Sequence, residues 1–343
     1  MQTDPDIPDY AYSDPTEKLI FLCDDHDINR FVMIFVPATY YLIFILSLFG
    51  NGLILLVLLK YEHLKTVTNI FILNLVLSDL LFTTSLPFWA VTEWIFGSAL
   101  CRIMTGIYFT GLNSYIIFLM LMTVDRYLAI VHTISTANAR KVRYAVLLSV
   151  IVWTVSALAA VPESVYSEIT FGDGVIQCKD MDHQSDSAEV WNHMGIYLNI
   201  MLSFIMPFVI VLYCYSRIIV KIIRSNIIEK HKAVKHIFFL MVTFFVSYAP
   251  YSIFIFVMSI QQPEVATEVS CDYTLHYIYY IFRTIAYLHC CINPIFYTFL
   301  GTKFRQHLLT LFKNCFVFIL PCCRQVFRNQ TIGSNHQSMN YVV

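Results

Sequence analysis

FVMIFVPATYYLIFILSLFGNGLILLVLL, residues Phe31–Leu59, contains no charged side chain. A bilayer core is crossed by about 20 apolar residues in helical form, so this run alone spans one. It is too long for a barrel strand and lacks the alternation of one. The rest of the chain repeats the pattern. Charge-free runs recur at 103–124, 144–162, 190–216 and 236–263. Two further runs carry one charge each: 66–92 holds Asp79 and 273–302 holds Arg283. Seven apolar segments predict an all-α membrane protein, a seven-transmembrane helix bundle. Pro37, Pro87, Pro207, Pro250 and Pro294 fall inside spans, where they are tolerated as kinks.

Composition agrees. Of 343 residues, 58% are hydrophobic and 13% charged, about half the charged share of a soluble domain. Mean hydropathy is +0.65. The net charge of −1 offers no basic footprint for nucleic acid. The first thirty residues carry no apolar stretch, so no cleavable signal is expected and the first span serves as anchor. With an outer N-terminus, 17 of the 22 Lys and Arg fall on the inner side and 19 of the 23 Asp and Glu on the outer side or edge. The positive-inside rule therefore places the N-terminus outside. Three regions are expected: an acidic extracellular segment 1–30, a membrane domain 31–300, and a cytoplasmic tail 301–343. Within the tail, Gly301 to Lys313 reads as a short amphipathic helix on the membrane surface.

Short motifs then narrow the class. Gly50-Asn51, Asn74-Leu75 with Asp79, Asp125-Arg126-Tyr127, Trp153, Pro207 with Tyr215, Pro250, and Asn293-Pro294 with Tyr297 occur in order, each in its span. Together they resemble the rhodopsin-like G-protein-coupled receptors along the whole membrane region. Asp125 to His132 (DRYLAIVH), His289 to Pro294 (HCCINP), Leu86-Pro87-Phe88-Trp89 and Trp94 to Gly97 are similar to chemokine receptors. Lys60-Tyr61-Glu62, the run Thr68 to Leu75, and Arg283 are most like the XC (lymphotactin) type. Three positions depart from the family pattern. Tyr248 stands where a Trp is usual, Ser85 replaces a Thr, and Tyr115 occupies a normally small position. The acidic Asp125 departs from the XC pattern.

The resemblance implies roles for particular residues. Of ten cysteines, Cys23, Cys101, Cys178 and Cys271 lie at the outer face, where oxidation is expected. The family pairs Cys101 with Cys178, and Cys23 with Cys271 is the remaining pair, with free thiols the alternative. Ligand contacts are expected from Asp9, Tyr10, Tyr12 and Asp14 in the N-terminal segment, and from Tyr40, Trp89, Tyr108 and Arg283 in the upper cavity. Tyr10 and Tyr12 sit among acidic flanks that suit sulfation, which would add strong acceptors. The alternative is a solvated acidic tail. Arg283 either meets ligand, snorkels outward, or pairs with Glu93, Glu268 or Asp272.

Asp125, Arg126 and Tyr127, with Tyr215, Tyr248, Pro250, Asn293, Pro294 and Tyr297, are the expected switch. Lys230 stands where many such receptors place an acid at the base of span six, so that restraint is expected to be weak. Asn51 and Asp79 join Asn293 in a polar core, with a protonated structural carboxyl the alternative for Asp79. Such receptors can hold sodium there, and Tyr115 is expected to crowd it. Cys315, Cys322 and Cys323 suit lipidation, and Thr331, Ser334 and Ser338 suit phosphorylation by receptor kinases and arrestin binding.

No P-loop, His-Glu-x-x-His, dinucleotide fingerprint or paired CxxC occurs, so neither an enzyme nor a cofactor is expected. The expectation is a plasma-membrane chemokine receptor that binds a small basic chemokine. It would activate a heterotrimeric G protein of the inhibitory class, driving calcium signalling and chemotaxis. A receptor for another chemokine class or peptide, a non-signalling scavenger and a transporter are the rivals.

Overall fold

The computed structural model describes residues 26–61, 64, 66–132, 142–172, 175–180, 195–225, 231–260, 274–300 and 302–319. Six helices among them are long and apolar enough to cross a membrane. These are Ile28–Lys60 (span one), Val67–Trp89 (two), Gly97–Val131 (three), Val142–Tyr166 (four), Gly195–Arg224 (five) and Ile237–Ile260 (six). The seventh span is divided by a turn at Leu288 into Thr274–Tyr287 and His289–Leu300, neither long enough alone. The seven expected spans are all present, with shifted ends. The first helix starts at His26 and the third at Gly97, both earlier than the charge-free runs suggested. Charges at a span's end reach the interface, so charge-free runs underestimate helix length.

Prolines shape the bundle by removing backbone donors. The backbone before Pro207 widens into a π-helical stretch, Met201–Ile205, the usual accommodation of a broken ladder. Span two starts on a side-chain cap, Thr66 Oγ1 accepting from Asn69 N at 3.1 Å.

One element is not helical. Ser167–Gly172 (β1) and Val175–Asp180 (β2) form an antiparallel hairpin with Ile169 opposite Cys178. It lies beyond the end of span four, where water can satisfy an open strand edge that lipid cannot. The helix after span seven runs Thr302–Ile319, longer than the expected Gly301 to Lys313. Phe304 and Leu308 are buried against the bundle and His307 stacks on Tyr61 with centroids 5.2 Å apart, so one face docks while Arg305 and Leu309 stay exposed.

Large apolar side chains point outward throughout, among them Leu158, Leu212 and Val246. In a bilayer these meet lipid, so packing inside relies on close backbones and polar pairs. Gly111 is the closest approach. A Cβ there would lie 2.6 Å from Phe82 N and 2.9 Å from Phe82 Cα, both backbone atoms that cannot step aside. Gly52, by contrast, has open space around it. Gly111→Ala is therefore expected to cut the amount of folded protein in the membrane severely, while Gly52→Ala leaves it near wild type. Equal levels for the two variants would refute the close approach of spans two and three.

Candidate functional site

The site is a column of polar and aromatic side chains running through the bundle. At one end of the column the hairpin is fastened to span three. Cys101 and Cys178 form a disulfide with Cα atoms 5.8 Å apart. Arg102 Nε donates to Ser167 O at 3.3 Å, and Ser167 Oγ donates to Thr105 Oγ1 at 3.0 Å. Trp94 ties the loop between spans two and three to the same hairpin. Its backbone N–H donates to Ile176 O at 2.8 Å and its indole N–H to Gly97 O at 3.0 Å. Gly97 adopts φ +81°, a left-handed conformation that favours glycine.

Below this lies the aromatic cavity. Tyr279, Arg283 and Tyr287 are spaced i, i+4, i+8 and so share one face of the helix. Arg283 Nε donates to Tyr287 Oη at 2.7 Å and Nη1 to Tyr279 Oη at 3.2 Å. The guanidinium also lies 5.6–5.8 Å from the ring centroids of Tyr40, Tyr279 and Tyr287. Tyr287 in turn donates to Tyr108 Oη at 3.1 Å, and the Trp89 and Tyr108 rings meet at 6.4 Å. The four expected cavity residues, Tyr40, Trp89, Tyr108 and Arg283, are thus brought together. Arg283 hydrogen-bonds tyrosines, and it is half-buried rather than extended into solvent. Glu93, one of its candidate carboxylates, is exposed and makes no ion pair with it, while Glu268 and Asp272 lie outside the described residues. The hydroxyl of Tyr40 and the indole N–H of Trp89 are buried with no hydrogen-bond partner.

The middle of the bundle holds the polar core. Pro294 has no N–H, so the Cys290 carbonyl loses its helical partner. Asn51 Nδ2 donates to that carbonyl at 2.9 Å and to Ser47 Oγ at 3.1 Å, and Ser47 meets Thr83 at 2.7 Å. Gly50 makes room for this contact, since a Cβ there would lie 2.7 Å from Pro294 Cγ. Asn293 Nδ2 donates to Asp79 Oδ2 at 2.7 Å. His289, only 1% exposed, places Nε2 3.9 Å from Asp79 Oδ1. Tyr115 hydrogen-bonds Asn293 and packs against His289. A second polar knot joins spans two and four, with Trp153 Nε1 donating to Asn74 Oδ1 at 2.9 Å and Asn74 Nδ2 to Ser149 Oγ at 2.9 Å.

At the opposite end of the column Arg126 pairs with Asp125 at 2.6 Å and also donates to Thr68 Oγ1 of span two. Tyr127 bonds His132 at 3.1 Å. Tyr215 meets Phe238 of span six edge-on at 5.0 Å, its hydroxyl buried with no hydrogen-bond partner. Tyr248 fills the place expected for a Trp, stacked on Phe244 at 4.8 Å and 5.6 Å from His289. Pro250 lies two residues further on in span six.

Several expected residues lie outside the described residues: Asp9, Tyr10, Tyr12, Asp14, Cys23, Lys230, Cys271, Cys322 and Cys323, together with the side chain of Tyr297. Sequence reasoning also passed over members of the column. Thr68, Tyr279, Tyr287 and His289 received no role, although two signals pointed to them. The i, i+4 spacing put the tyrosines beside Arg283, and His289 sits one turn before Asn293.

The bundle of membrane-spanning helices thus encloses a polar column that runs from an aromatic cavity at one end to Arg126 at the other. Residues 50–297 match the family described as the seven-transmembrane receptor, rhodopsin family. C-C chemokine receptor type 4 of Homo sapiens is 38% identical over 92% of this chain and 89% of its own length. C-C chemokine receptor type 3 of Macaca mulatta is 36% identical over 85% and 83%. The chain belongs to the rhodopsin family of G-protein-coupled receptors, within its chemokine-receptor branch, and is a multi-pass plasma-membrane protein. Its relatives are receptors, not enzymes. Both relatives are of the C-C class, so they give the expected XC likeness no support.

Proposed function

We propose that the chain is a receptor for a small basic chemokine that activates a heterotrimeric G protein of the inhibitory class. The observation that carries this reading is the 38% identity to a C-C chemokine receptor over 92% of the chain. The acidic N-terminal segment, with Asp9, Tyr10, Tyr12 and Asp14, would sit outside and capture the ligand's basic core by charge complementarity, which acts chiefly on encounter rate. The ligand's N-terminus would then enter the cavity of Tyr40, Trp89, Tyr108 and Arg283. Binding there would shift the population toward an arrangement with span six swung outward. Arg126 would leave Asp125 and Thr68, and Tyr215 and Tyr297 would receive it.

Arg283, Lys60-Tyr61-Glu62 and the run Thr68 to Leu75 are what favour an XC-type ligand. Phosphorylation at Thr331, Ser334 and Ser338, lipidation at Cys322 and Cys323 and the recruitment of arrestin belong to this reading as well. The intact Asp125-Arg126-Tyr127 argues for signalling over scavenging.

A panel of CC, CXC and XC chemokines assayed by nucleotide exchange on an inhibitory G protein is expected to yield one responding class. Silence across the panel with retained uptake would favour a scavenger. Arg126→Ala is expected to abolish exchange while ligand binding at the surface stays near wild type. Normal exchange in that variant would remove Arg126 from the switch.

Arg283 offers the sharpest test of the cavity. A guanidinium bonded to tyrosines can still offer donors to a ligand carboxylate, carbonyl or hydroxyl. Breaking a desolvated charge contact costs about 2–5 kcal/mol, so Arg283→Gln is expected to lower potency well over tenfold. Arg283→Glu should be worse, because it adds repulsion. Equal, wild-type potency for both, at surface levels measured on the same cells, would leave Arg283 a structural residue.

A further inference from the structure

Tyr115 is the member of the column that the family pattern does not explain, since the position is normally small. Its side chain is 1% exposed and crosses from span three to span seven. The hydroxyl donates to Asn293 Oδ1 at 3.2 Å and accepts from Asn293 Nδ2 at 3.1 Å. The same Asn293 Nδ2 donates to Asp79 Oδ2 at 2.7 Å, so one chain of bonds runs from span three through span seven to span two. The ring packs on His289 at 4.8 Å and on Phe244 of span six at 5.6 Å. One phenol on span three therefore touches both span six and span seven.

Receptors with a small residue here have room for sodium beside the carboxylate. The residues present do not fit such an ion. A hard cation needs several oxygen ligands around it. The volume beside Asn293 is taken by the phenol itself. The remaining carboxyl oxygen, Asp79 Oδ1, faces His289 Nε2 across 3.9 Å. That imidazole is enclosed by the rings of Phe82, Tyr115, Phe244 and Tyr248, at centroid distances of 4.8–6.0 Å. On this side the carboxyl oxygen, which has no hydrogen-bond partner, faces an imidazole packed among aromatic rings.

We propose that Tyr115 is a built-in replacement for the ion: its hydroxyl clamps span three to span seven in the closed arrangement, and the receptor is consequently indifferent to sodium. The clamp is covalently attached, so it does not dissociate as an ion does. It rests on the receptor reading for its effect on signalling, but not for its effect on stability.

The purified receptor is to be melted in about 0.15 M sodium chloride and in N-methylglucamine chloride of equal strength. Wild type is expected to melt at the same temperature in both. Tyr115→Phe keeps the ring and removes one buried hydrogen bond, and should melt about 2–4 °C lower in both salts. At matched levels it should also raise ligand-free nucleotide exchange several-fold. Tyr115→Ser opens the gap and leaves an oxygen, and should gain a melting temperature that rises with sodium. A sodium-dependent rise in wild type, or a Phe variant that melts as wild type does, overturns the proposal. A serine variant as flat as wild type does the same. If wild type activates no G protein, the receptor reading fails while the melting comparison still decides the clamp.

Discussion

The carbonyl of Cys290 is the constraint on which the arrangement of the column depends. Pro294 denies it a helical partner, and in hydrocarbon no water can replace one. An unpaired backbone acceptor there costs several kcal/mol. Asn51 supplies the donor from span one at 2.9 Å, and Gly50 lets the two helices come close enough for it to do so. With spans one and seven locked in register, Asn293 is aimed at Asp79 and Tyr115, and His289 at the far oxygen of Asp79. Two turns outward on the same span stands Arg283 among its tyrosines. A defect in one helix thus determines where the polar residues of three others must lie.

The column gives the proposed mechanism a physical route. Tyr287 touches the cavity through Tyr108 and Arg283, and it packs on Phe82 at 5.2 Å, whose ring lies 5.5 Å from His289. His289 borders Tyr248 and Phe244 of span six. A ligand that shifts Arg283 therefore acts on packed rings that border the helix expected to move. At the opposite end of the column, Arg126 bonds Asp125 and Thr68, and among the described residues it makes no bond to span six. Among the described contacts of span six there, the edge-on meeting of Phe238 with Tyr215 is apolar.

Much of this was legible in the sequence because the bilayer enforces it. Charge-free runs gave the spans, and the ordered motifs placed Asn51, Asp79, Arg126 and Asn293 before any coordinates. Tyr40, Trp89, Tyr108 and Arg283 lie near one another in the structure. What escaped was relational. Nothing local in the sequence states that Thr68 would reach Arg126, or that Tyr279 and Tyr287 would sit where carboxylates were considered for Arg283. The hairpin at Ser167–Asp180 escaped because its strands are short and lie in water, outside the constraint that made the helices obvious. The turn at Leu288 likewise leaves no hydropathy signal, since both halves of span seven are apolar.

The most direct test is a double-mutant cycle on Asn51 and Pro294, read from the unfolding of the purified receptor. Asn51→Ala alone leaves the Cys290 carbonyl unpaired and should cost about 1–3 kcal/mol. Pro294→Ala restores the backbone donor, so the carbonyl no longer needs Asn51. In that background Asn51→Ala should cost markedly less, a coupling of about 0.5–3 kcal/mol. Strictly additive losses, with Asn51→Ala equally harmful in both backgrounds, would contradict the claim that Asn51 answers the carbonyl that Pro294 sets free.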